Sequence, residues 1–192
     1  DLPTWAQGVT QSFRKGVVGV SGPTYITEEF RHNRDLFKYR FWKKVYDYLF
    51  LGQGSKRPGY ISNAGCPSTA SNDEAQTYEG EVDYLEACNM SVRRKKAIDV
   101  GGFDKSYYKT SEWCEVDLAL RLKTKGALYF SRAASLYHRP SKAGVYSHRL
   151  STKHRWDNFV YFQKKWIKPS LKRHLYWLWV WSYLKLKDMK MI

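Results

Sequence analysis

The chain has 192 residues, 43% hydrophobic and 17% aromatic, which suits one domain with a real core and argues against a disordered segment. A net charge of +15 points to anionic partners: nucleic acid, anionic lipid or a phosphorylated small molecule. Cys66, Cys88 and Cys114 form no C-x-x-C pair and no zinc spacing, and this odd count favours a reducing compartment over a disulfide framework.

No amino-terminal signal is visible, and the chain opens on Asp1 rather than Met, so the expectation is a start inside a longer protein. Residues 5–13 fit a short helix, and residues 16–22 (GVVGVSG) form a short apolar run that reads as a buried strand. Phe37, Phe41, Val45 and Tyr48 fall at helical spacing, which predicts one long helix, whole or broken, over residues 28–51. Residues 52–78 are rich in turn formers and predict a loop region with a short strand at residues 59–61. A strand follows at residues 82–85, then a short helix at 93–100 stopped by Gly101 and Gly102.

Residues 113–125 predict the next helix, with Leu118, Leu120 and Leu122 near its apolar side and Gly126 at its end. Two short strands are expected at residues 128–130 and 135–137, and a basic loop over 141–153. Helices are expected at 155–166, stopped by Pro169, and at 171–186. From Arg139 onward the only acids are Asp157 and Asp188, so positive charge concentrates late. The expected division is a domain over 1–153 and a basic aromatic helical tail over 154–192.

The stretch from residue 85 to 138 carries the most information. Cys88-Asn89-Met90-Ser91-Val92-Arg93-Arg94 is followed by Gly101-Gly102-Phe103-Asp104. Then come Cys114-Glu115-Val116-Asp117-Leu118-Ala119-Leu120-Arg121 and Ser135-Leu136-Tyr137-His138. In order and spacing these four motifs resemble the C-terminal half of family 2 glycosyltransferases of the GT-A fold. Pro3-x-Trp5 followed by residues 17–22 resembles the segment after that family's D-x-D motif. No D-x-D occurs in the chain.

The resemblance implies an α/β fold: a partial GT-A domain, its mixed sheet flanked by helices, with a basic aromatic C-terminal helical extension. It implies inverting transfer of a sugar from a nucleotide-sugar donor to a hydroxyl of a polysaccharide, glycan or lipid-linked acceptor. Glu115 matches the position of the catalytic base, and a carboxylate can take the acceptor's proton as the anomeric centre gains positive charge. Glu112 is the alternative base if the register slips, and Cys114 departs from the usual acidic residue. For Asp117 and Arg121 the resemblance suggests support of the base or acceptor contact; their i, i+4 spacing equally suits a helix-surface ion pair.

Asn89 could bond the donor sugar or satisfy local backbone, and Arg93 and Arg94 could reach a diphosphate or be solvated. Asp104 suits a turn and could touch the acceptor. His138 matches a position that can complete the coordination of Mg2+ or Mn2+, a metal held mainly by D-x-D carboxylates upstream. Without that half, the 192 residues alone are expected to be inactive.

The tail carries Tyr176, Trp177, Trp179, Trp181 and Tyr183 among lysines. Its apolar run is far shorter than the ~20 residues that span a bilayer. It suits a helix lying on an anionic membrane, and the expected location is the cytoplasmic face. The alternatives are a basic nucleic-acid-binding protein, for which no module motif is present, and a non-catalytic scaffold.

Overall fold

The computed structural model describes residues 2–26, 44–68, 77–107, 111–139 and 152–189. Most of the long helix expected over 28–51, and most of the basic loop expected over 141–153, lie outside the described residues.

The fold is mixed α/β. Helix α1 (Leu2–Ser12) leads into β1 (Val17–Ser21) and β2 (Thr24–Ile26). A π-helical turn at Asp47–Leu51 passes directly into a 3-10 turn at Gly52–Lys56. Strands β3 (Gly80–Glu81) and β4 (Ser91–Val92) flank a 3-10 turn at Ala87–Asn89. Helices α2 (Arg94–Asp99) and α3 (Cys114–Lys123) precede β5 (Ala127–Phe130) and β6 (Leu136–His138). Helices α4 (Thr152–Trp166) and α5 (Leu171–Asp188) close the order.

The main sheet runs β3-β5-β1-β4. Its centre is parallel, β1 on β5, and both edges are antiparallel. A second, two-stranded sheet pairs β2 with β6 in parallel. The strand expected at 82–85 is displaced: the ladder closes at Gly80–Glu81, and Val82 adds one more bond, donating its N–H to the Leu128 carbonyl at 3.0 Å. The expected strand at 59–61 reduces to one bridge between Ile61 and Pro67. Strands β2 and β4 escaped the sequence reading because each is only two or three residues long, too short for a period of two to show.

Two cores sandwich the sheet. On one side Val9, Val17, Val20 and Ala134 pack with Trp5 and Phe13 of the α1 region. On the other, Val18, Leu85, Leu118, Leu122, Leu128, Phe130 and Phe162 are buried together. A register shift in β1 between Val17 and Gly19 breaks the strand's alternation, so that Gly19 faces the α3 side together with Val18 and Val20 returns to the side of Val17. Gly19 has no room for a side chain: a Cβ there would stand 2.7 Å from Leu85 and 2.9 Å from Leu128. Helix α3 ends at a tight connection, where Gly126 adopts a φ of 156° before β5 starts.

Residues 154–192, expected as a tail, supply Phe162 to the sheet core and Phe159 and Tyr176 to a third cluster with Phe50, Leu51, Ala64 and Cys66. Burying three large aromatic side chains at roughly 1.5–3 kcal/mol each binds α4 and α5 firmly to the rest of the chain.

Candidate active site

The head of α3 gathers the residues that the motifs single out. Before it, Ser111 and Trp113 take left-handed φ values of 50° and 77°. Non-glycine residues rarely adopt these, and each costs of order 1 kcal/mol or more. The Trp113 ring repays part of this by stacking on Phe162, 4.7 Å between centroids. No side chain caps the helix, but Glu115 and Asp117 lie in its first turn, where the helix dipole favours negative charge.

Asp117 is fully buried, at 0% exposure, which is not the surface ion pair its spacing suggested. Its Oδ2 accepts from Arg121 Nε at 2.9 Å and from a second guanidinium nitrogen at 2.7 Å. Its Oδ1 accepts from Trp166 Nε1 at 2.7 Å and faces Lys165 Nζ at 2.7 Å. Arg121 also donates to the Val100 carbonyl, tying α3 to the end of α2.

Asp104 joins the same network. Its Oδ2 accepts from Lys165 at 2.8 Å and from the Tyr161 hydroxyl at 2.9 Å, while Oδ1 accepts the Ser106 N–H at 2.9 Å. The Lys165 and Ser106 bonds hold its carboxyl well below the usual carboxylate range. Burial works against the charge of Lys165, but its bonds to Asp104 and Asp117 raise its pKa on balance. Tyr161, Lys165 and Trp166 were not among the expected site residues because they follow Asp117 by 44 to 49 positions, on a separate helix. The available signal was spacing: Tyr161 and Lys165, like Phe162 and Trp166, stand four apart on one helix.

Glu115 is half-buried on the first turn of α3, with the Cys114 thiol 3.7 Å from its Oε2. Burial, then the neighbouring Glu115 charge, pushes the Cys114 thiol up to about 12. Glu112 pairs with Arg155 of α4 at 3.0 Å. A half-buried carboxylate on a rigid helix start has the chemistry of a general base.

The other expected site residues lie apart from this network. The Asn89 side chain is 2% exposed. It donates to the carbonyls of Gly22 at 3.0 Å and Ala134 at 2.8 Å and accepts from Trp5 Nε1 at 2.9 Å. Its amide is thus engaged with the backbone and Trp5, the structural one of its two expected roles. Arg93 donates to the carbonyls of Val17 at 2.8 Å and Phe13 at 2.9 Å, so it clamps the α1–β1 turn. Arg94 is exposed on α2.

His138 ends β6, opposite Ile26 of the second sheet. Among the described residues no three His, Cys, Asp or Glu side chains converge on a metal position.

A groove of about 330 Å³ opens between α4 and α5, lined by Lys153, Trp156, Trp181, Leu184, Lys185 and Asp188, and Glu115 is not among its walls. No protein-family model, no curated protein and no solved structure matches the chain.

Proposed function

We propose that this chain is the acceptor-side part of an inverting, family 2-like glycosyltransferase. The acceptor hydroxyl attacks the anomeric carbon of a nucleotide-sugar, Glu115 takes the hydroxyl proton, and the nucleoside diphosphate leaves with the electron pair of the broken C–O bond. In this reading the donor nucleotide is held by a preceding half of the protein.

One observation carries the reading: Glu115 stands two residues before the buried Asp117, whose carboxylate is held by four contacts from three side chains. That carboxylate fixes the first turn of α3 and so holds Glu115 at a constant, half-buried position, as catalytic geometry requires. Asp117 supports the base from the core in this account, and Arg121 supports Asp117.

The deciding test is Glu115→Gln in a chain that includes the donor-binding half, assayed for transfer from a nucleotide-sugar to a hydroxyl acceptor. The expected loss is about 100-fold or more in kcat with donor binding unchanged. Transfer at the unsubstituted rate removes Glu115 as the base.

A further inference from the structure

The outer face of α5 carries exposed apolar side chains toward both of its ends, with Ser182 between Leu178 and Leu186. Leu171, Leu175, Leu178 and Leu186 recur at steps that return to one side of the helix, and Met189 follows just past its end; they are 78%, 49%, 59%, 37% and 66% exposed. The opposite side packs inward through Arg173, Tyr176 and Leu184. The helix is therefore apolar on two sides while only one meets the protein. At 1.5 Å per residue, its 18 residues make a stripe about 27 Å long.

Charge frames this stripe. Lys168, Lys172 and Lys185 are exposed at its margins, and residues 152–189 hold nine Lys and Arg against Asp157 and Asp188. Trp181, 46% exposed, borders the stripe, with Lys185 Nζ 5.9 Å from its ring centroid. Both residues also line the groove between α4 and α5, where Lys153 stands with Lys185 and Asp188. The apolar face thus continues into a groove that carries two ammonium groups.

We propose that this face of α5 lies in the interface of an anionic lipid bilayer. The leucines and Met189 enter the acyl boundary, Trp181 sits at headgroup level, and Lys153, Lys172 and Lys185 meet lipid phosphates. Among the described residues no helix is long and apolar enough to cross a membrane, so the contact is along the surface. A stripe of five apolar side chains is also small beside the 20–30 residues per side of a stable protein interface. This inference is independent of the glycosyl-transfer reading.

The test uses the 192-residue chain and vesicles of phosphatidylcholine with or without phosphatidylserine. The chain should co-float with the phosphatidylserine vesicles and release in about 0.5 M salt, where charges are screened beyond a few ångströms. Leu175→Glu/Leu178→Glu should cut the bound fraction about tenfold. Its thermal midpoint should hold, because both side chains are exposed.

Lys172→Glu/Lys185→Glu should weaken binding to phosphatidylserine vesicles without altering the apolar stripe. No flotation of the unsubstituted chain, or flotation of either variant equal to that of the unsubstituted chain, overturns the proposal. So does a dimer in sedimentation velocity that Leu175→Glu/Leu178→Glu dissolves, since the occupant would then be a second copy of the chain.

Discussion

Lys165 Nζ lies 2.7 Å from Asp117 Oδ1, so an ammonium on α4 meets a buried carboxylate on α3. The Lys165 side chain is 30% exposed and that of Asp117 0%, so the two partners are not equally dispensable. Asp117→Asn leaves the Arg121 guanidinium beside a neutral amide and Lys165 with Asp104 as its remaining carboxylate. Asp117→Asn is expected to cost about 3 kcal/mol or more, the range for breaking a buried pair. Lys165→Met leaves Asp117 its Arg121 and Trp166 bonds, and should cost only about 1–2 kcal/mol. Urea unfolding monitored by Trp fluorescence measures both, and equal costs would contradict the asymmetry.

Glu115 gives the opposite contrast. It is half-buried, and Glu115→Gln keeps its size, so stability should move by no more than about 1 kcal/mol. A large loss of stability, comparable with Asp117→Asn, would mark Glu115 as structural. The same variant tests its charge. Cys66 and Cys114 both have thiols pushed up to about 12, chiefly by burial, and the Glu115 carboxylate adds to the effect at Cys114. Iodoacetamide reacts with the thiolate, so both should resist labelling in the native chain at pH 8. Glu115→Gln should speed labelling of Cys114 and leave Cys66 unchanged, read residue by residue by mass spectrometry.

Local signals made most helices and the central strands legible. Gly101 and Gly102, with φ of 84° and 65°, stop α2 where the sequence placed its end, and Gly126 separates α3 from β5 as expected. The candidate site was legible only along the chain. Asp117 and Arg121 stand one turn apart, so their pair was visible, but their burial was not. That burial depends on Trp166 and Lys165, which reach the site through the packing of α4. Likewise Asn89 meets Trp5 across 84 positions of sequence, a contact no periodicity encodes. The exposed stripe of α5 was hidden by composition: its aromatics drew notice, yet Tyr176 is buried while Leu171, Leu175, Leu178 and Leu186 face outward.

Asn89 joins three chain segments: α1 through Trp5, the end of β1 through Gly22, and the turn before β6 through Ala134. Asn89→Ala should destabilise by about 2–4 kcal/mol, because the Trp5 N–H and two carbonyls lose a buried partner. Asn89→Asp should cost more than Asn89→Ala, since it sets a carboxylate against the Gly22 and Ala134 carbonyls. Thermal denaturation of the two variants ranks them, and the reverse order would contradict this account of the amide. Gly22→Ala probes the same junction. A Cβ there stands 2.2 Å from the Ala134 oxygen and 2.5 Å from the Ser131 oxygen, so the two segments must part.

The Asp104–Lys165 pair also sets an acid limit on stability. The Asp104 carboxyl is depressed below its unfolded value of about 3.9, mainly by the Lys165 bond and the Ser106 N–H. A depressed carboxyl contributes stability that is fully present above the unfolded pKa and fades as pH falls toward the folded one. Lys165 has the opposite sign: its folded pKa is raised, so its contribution is complete below about 10.4 and is lost as pH rises through the folded value. The thermal midpoint should therefore hold between about pH 5 and pH 9 and fall below about pH 4. Asp104→Asn removes the titrating group, so it should lower the midpoint at neutral pH and flatten the acid limb. Melting curves at half-unit pH steps read both effects; an acid limb equally steep in Asp104→Asn would assign the acid loss to other carboxyls.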